Sequence, residues 1–375
     1  MDSLTRYWVE LGELGERRRL PWGNAGNSTM WQCTFAGSRF VFKEYSDEFR
    51  ASADQNALGR LIGWRDSLPD QDRAHLDRVA AWPRYRVRHN GTLLGVLMPF
   101  APARFFREMA PDGAVQPNVI ANLVRRTMDG NVIPGAVVFV KTSAIGHAAD
   151  VLLWFHRQKV LVNDVRELNI LCAKDGSAVH YVDCDVMIGP WGRVGSPAAP
   201  EYLQELLPSG EPPSPRIEFA KLAWVAVWIL LDDFSLRGPQ QAQLTRIIDA
   251  KDAELISQTG LMGPIDMENW RRMAGRWIRW TASAKVGPPP GERTVITPTP
   301  YLKPTRKMPD PRPADRSRWV PERFKQPMPA VTMPAVPVPD APRRSHGVTV
   351  LLVAAAAVVM LVGLAALNVL LQGGR

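Results

Sequence analysis

The sequence predicts an α+β fold: a β-rich N-terminal lobe, an α-rich C-terminal lobe, then a proline-rich linker and a single C-terminal transmembrane helix. Three observations lead there. Hairpin patterns fill the chain up to Pro102, apolar stretches of helical length dominate beyond it, and a long uncharged run lies near the end. The 375 residues and an apolar fraction of 46% suffice for a sizeable core.

In the N-terminal lobe, about residues 1–102, WQCTF and RFVFKEY flank Ala36-Gly37-Ser38 and read as one hairpin. RYRVRH and TLLGVLMPF flank Asn90-Gly91, the strongest short hairpin signal, because both turn residues tolerate positive φ. Asp47 to Arg65, between the hairpins, has helical character. In the C-terminal lobe, about residues 103–283, helices are expected over Ala144–Val160, Phe219–Leu231 and Asp266–Trp280.

The linker, residues 284–346, holds sixteen of the 33 prolines between Lys285 and His346 and reads as a disordered, extended tether. The same stretch carries twelve Lys/Arg against five Asp/Glu, which is +7 of the formal +9. The basicity is therefore local, the globular part is near neutral, and a nucleic-acid face on it is not indicated. A basic segment beside a bilayer is instead suited to anionic lipid.

Val348 to Leu371 is 24 residues without a charge. As a helix it extends about 36 Å, against a hydrocarbon core of roughly 30 Å, so residues 347–372 are expected to span a membrane. Arg343 and Arg344 precede the span and only Arg375 follows it, which places the globular part in the cytoplasm as a tail-anchored, single-pass protein of the cell membrane. Small residues from Ala354 to Ala366 would permit a homodimer through this helix. Cys33, Cys172 and Cys184 are odd in number and widely spaced, as expected of reduced thiols.

The chemistry concentrates in NDVRELNIL, Asn163 to Leu171. Beyond it the chain runs ILCAK, Asp175-Gly176, SAVHYV, Asp183, and the Asp-Gly pair predicts a two-residue hairpin turn. Pairing outward sets Lys174 opposite Ser177, Cys172 opposite Val179 and Asn169 opposite Val182. Asn169 and Asp183 then reach one end of the hairpin, an amide oxygen beside a carboxylate, both hard ligands suited to Mg²⁺. Asp164, five residues before Asn169, suits proton acceptance from a hydroxyl. Arg166 is a fixed positive charge beside it.

Asp164, Arg166 and Asn169 have the spacing of the protein-kinase catalytic loop, D-x-K-x-x-N, with Arg for Lys, and Asp183 stands where the DFG aspartate does. Lys43 in VFKEY is similar to the strand-borne lysine that grips the ATP phosphates. Gly23 and Gly26 in WGNAGNS fall where the glycine-rich loop does, Met98 to Pro102 resembles the hinge, and Ala199 to Glu201 reads Ala-Pro-Glu. From about Leu20 to Trp280 the chain thus resembles a serine/threonine protein kinase, in particular a bacterial branch with an Asp-Cys-Asp magnesium motif, here Asp183-Cys184-Asp185. The resemblance implies a bilobed protein-kinase-like domain over residues 1–283. It also implies ATP and Mg²⁺ as cofactors, and protein substrates near the membrane.

Departures from the pattern carry their own expectations. Asn163 replaces the arginine that would pair with a phosphorylated loop, and the glycine of DFG is absent, which restricts flipping of that turn. Ser52 to Leu61 holds no glutamate for Lys43, and Asp54 is the expected substitute. Glu218 takes the place of a structural aspartate in the large lobe. Two other readings stay open: a pseudokinase scaffold, favoured by these departures, and a small-molecule phosphotransferase, disfavoured by Ala-Pro-Glu.

Overall fold

The computed structural model describes residues 7–22, 28–109, 114–124, 137–195, 206–207, 211–238 and 240–284. All lie in the first of two compact units, Met1–Thr294. The expected linker apart from Ala284, the expected span, Gly23, Gly26 and Ala199 to Glu201 fall outside the described residues.

The N-terminal half is built on a six-stranded sheet. Its strands are β1 (Trp8–Glu10), β2 (Arg18–Arg19), β3 (Ser28–Phe35), β4 (Ser38–Tyr45), β5 (Tyr85–His89) and β6 (Thr92–Pro99), in the order β1-β5-β6-β4-β3-β2. Both expected hairpins form with two-residue turns, Ala36-Gly37 and Asn90-Gly91, every one of these residues at positive φ. β4 lies inside the sheet, with Lys43 opposite Met30 on one side and Val96 on the other. Gly95 of β6 lets the strands approach there, because a Cβ on it would sit 1.9 Å from the Lys43 carbonyl oxygen.

The helical stretch expected over Asp47–Arg65 is two helices, α1 (Asp47–Ser52) and α2 (Gln55–Ser67), followed by α3 (Asp70–Val79). The break has a local cause. Asp54 N-caps α2, accepting from the Asn56 and Ala57 amides at 2.8 and 2.9 Å, so its carboxylate serves the chain end of a new helix.

The C-terminal half is helical: α4 (Val138–Arg157), α5 (Pro215–Leu231), α6 (Gln241–Leu244), α7 (Ala250–Gly260) and α8 (Met267–Ala284). Beyond the sheet only two small hairpins occur among the described residues: β7 (Phe106–Met109) with β8 (Ala114–Pro117), and β9 (Ile170–Cys172) with β10 (Val179–Tyr181). The chain is thus α+β, with a sheet-rich N-terminal region and a helical C-terminal one. α4 has the length and apolarity of a membrane span, yet 78% of its apolar window is buried, as in a core helix. α5 starts at a Ser214 cap with Pro215 in its first turn, and is buried almost all round. Its first turns, through Glu218 and Lys221, are hydrogen-bonded to the start of the loop at 163–169.

Candidate functional site

β9 and β10 pair in the expected register, Cys172 opposite Val179, and the Val182 amide donates to the Asn169 carbonyl at 3.0 Å. The turn is looser than expected. Lys174 to Ser177 form a four-residue loop, in which the Asp175 carboxylate accepts from the Ser177 amide at 3.0 Å and its hydroxyl at 2.6 Å. Such a local carboxylate bond competes with a two-residue turn. The register survives because it is set by the buried strand residues.

Asn169 and Asp183 both line a cleft of about 320 Å³, within the roughly 300–1,000 Å³ of small-molecule sites. Its walls are apolar: Met30 and Val41 from the sheet, Met98 from β6, Leu171 and Val182 from the β9–β10 hairpin. Arg166 also lines it. Asn169 gives its side-chain N–H bonds to Asp164, to the carbonyl at 3.1 Å and to Oδ2 at 2.7 Å, which leaves Oδ1 as the acceptor for a cation.

Asp164 is buried, with the Arg166 guanidinium 3.5 Å from its carboxylate. Burial pushes this carboxyl above its ordinary range, against the opposing charges of Arg166 and Lys221. A carboxylate raised in this way is the better proton acceptor.

Lys43 Nζ lies 2.9 Å from Asp185 and 3.3 Å from Asp183. Burial alone would lower its pKa, but the two carboxylates outweigh that and hold it charged. Asp54 is therefore not its partner: it is occupied as the α2 cap, and its own amide donates to the Val194 carbonyl at 2.8 Å. Asp183 has φ 58 and ψ 40, a left-handed conformation that Asp tolerates better than most residues. Its side chain keeps 26% exposure, while Asp185, two residues on, keeps none.

The loop holding Asp164 is fixed from below. Glu218 of α5 accepts from the Asn163 amide and, at 2.7 Å, from His156 of α4. Lys221, one turn along α5, donates to the Asn163 carbonyl at 2.9 Å. Asn163 sits at φ 68 and closes the arrangement by donating to the Val186 carbonyl at 3.0 Å. The structural role expected of Glu218 is thus a backbone clamp.

Sequence reasoning named Asp185 only as part of the Asp-Cys-Asp motif and not as a partner of Lys43, and it missed Tyr45, Lys221 and the β7–β8 hairpin, whose Phe106, Gln116 and Pro117 line the cleft. Tyr45 carried a signal, since period-two spacing puts it on the face of Lys43. The hairpin carried little, its strands being four residues each.

Among the described residues no group of three or more His, Cys, Asp or Glu side chains is arranged to hold a metal. The Asn169 and Asp183 pair fits Mg²⁺ in another way, because that ion keeps waters and takes few protein ligands when substrate phosphates supply the rest. The chain matches no known protein-family model and no curated protein.

Proposed function

We propose that the chain is a membrane-anchored protein kinase with a protein-kinase-like fold, transferring the γ-phosphoryl group of ATP to Ser or Thr of protein substrates. The observation that carries this reading is the set of polar groups gathered at the apolar cleft. Asn169 and Asp183 arrive there on one hairpin, Asp164 is hydrogen-bonded to Asn169, and Lys43 stands 3.3 Å from Asp183. Phosphoryl transfer asks for positioning and charge neutralisation, and these are the groups it asks for.

In this reading the adenine ring lies between Val41 and Leu171, near Met98. Asn169 and Asp183 hold Mg²⁺, which neutralises phosphate charge when bound. Lys43 grips the phosphates, Asp164 takes the proton of the attacking hydroxyl, and Arg166 offsets charge on the group in transit. Gly23 and Gly26 would cover the nucleotide. Residues 284–346 serve as tether and residues 347–372 as anchor, which confines substrates to the membrane surface; small residues in that helix support a homodimer.

The test is transfer of label from γ-labelled ATP by the full-length chain, with Asp164→Asn as control. Label on Ser or Thr of protein, lost in the variant, is the expected result. Label on a soluble metabolite alone makes the chain a small-molecule phosphotransferase, and nucleotide binding without transfer makes it a scaffold.

A further inference from the structure

α2 gives Lys43 nothing to hold. Its one carboxylate, Asp66, is engaged by the Tyr7 hydroxyl and by Arg65, each at 2.9 Å, and Asp54 caps the helix start. The acids of α1, Asp47 and Glu48, are exposed. Asp185 is the wholly buried carboxylate nearby, and each of its oxygens has a donor: Oδ1 takes Lys43 Nζ at 2.9 Å and Oδ2 takes the Tyr45 hydroxyl at 2.8 Å.

Strand geometry makes this pair of donors natural. Residues 43 and 45 are two apart on β4 and so point to one face, where a single carboxylate meets both. The turn after β10 supplies that carboxylate. With Asp183 left-handed and Cys184–Val186 in a tight 3₁₀ turn, Asp183 faces the cleft and Asp185 the interior. A carboxylate with no exposure is stable only when charge-paired and fully hydrogen-bonded, and Lys43 with Tyr45 meets both needs.

We propose that Asp185, braced by Tyr45, is the positioning residue for Lys43, in place of a helix carboxylate. Lys43 is thereby tied to the turn that carries Asp183, and when Asp183 turns to a metal, Asp185 keeps its hold. Displacing α2 then does not unhook Lys43, so the phosphate grip is set whenever the turn 183–186 is in place.

This inference rests on the phosphotransfer reading for its ligand, and its test separates the two. Binding of Mg·ATP and of adenosine to the full-length chain is measured by calorimetry for wild type, Asp185→Asn and Tyr45→Phe. A lysine that has lost its anchor releases phosphates and not the base. Asp185→Asn is therefore expected to weaken Mg·ATP by about tenfold or more with adenosine within about twofold, and Tyr45→Phe to weaken Mg·ATP about threefold. Equal loss of both ligands, or no loss of either, overturns the proposal.

A second measurement needs no nucleotide. Urea midpoints are compared for Lys43→Met, Asp185→Asn and the double variant. Removing Lys43 alone strands a buried carboxylate, so the double variant is expected to be no less stable than Lys43→Met. Additive losses overturn the Lys43–Asp185 link. Wild type that binds neither Mg·ATP nor adenosine overturns the phosphotransfer reading instead, and the link is then decided by the midpoints. Should Asp185→Asn fail to fold, the Tyr45→Phe comparison decides.

Discussion

The loop 163–169 and strand β4 both deliver site residues, but they are fixed by different means. The loop is clamped through its backbone: Glu218 and Lys221, from one face of α5, take the Asn163 amide and carbonyl. Lys43 is held at its side-chain tip, by two acids of a turn in the other half of the domain. A backbone clamp fixes a loop whatever its side chains do, whereas a side-chain contact fixes the Lys43 ammonium only while the turn stays put. The helical half is thus the reference frame, and β4 is registered against it.

Asp164→Asn keeps the loop clamp and, under the proposed reading, removes the proton acceptor, so phosphotransfer is expected to fall by roughly 10²–10⁴ with little change in thermal midpoint. Equal loss in rate and stability would instead make Asp164 a structural acid. Glu218→Ala attacks the clamp itself. It leaves the buried Asn163 amide and His156 without their acceptor, an expected loss of about 3–5 kcal/mol in urea unfolding. Glu218→Gln, which keeps an acceptor, should recover part of it.

How much of this was legible in the sequence depends on range. Asn169 beside Asp183 followed from counting along a hairpin, since a short connection between two antiparallel strands leaves little freedom in their register. The Lys43 partner was not legible. Locally, Asp54 was the reasonable candidate, but an acid just before a helix is also the best cap for it, and the cap won. The true partner, Asp185, lies 142 residues away, and only the packing of β4 against the turn brings it in. The division of Asp183-Cys184-Asp185 into an outward and an inward acid was invisible for the same reason: it depends on one left-handed residue.

Another contact joins the halves at the back of the β9–β10 hairpin and is pH-dependent. His180, buried in β10, hydrogen-bonds through Nδ1 to the Arg78 carbonyl of α3 at 3.0 Å. Burial lowers its pKa from 6.5 to about 4. The unfolded chain therefore binds a proton between these values while the folded chain does not, so stability is lost as pH falls from about 6.5 towards 4. At 1.36 kcal/mol per unit the loss is about 3 kcal/mol at most. The urea midpoint measured across this range should flatten in His180→Asn, and a wild-type midpoint independent of pH would remove His180 from the seam.

The smallest effect is expected where the β7–β8 hairpin lines the cleft beside the sheet. Phe106 contacts Trp22 with ring centroids 6.1 Å apart, and both line the cleft. This contact is apolar, and under the proposed nucleotide reading it would bear on the base rather than on the phosphates that Lys43 would hold. If the cleft takes a nucleotide as proposed, Phe106→Ala removes one apolar wall worth about 1 kcal/mol of contact, so affinity should fall about threefold to tenfold, equally for Mg·ATP and adenosine. The equality is the informative part. A loss confined to Mg·ATP would mean that the hairpin acts on the phosphates, and that the cleft is not divided into an apolar end for the base and a polar end for the charge.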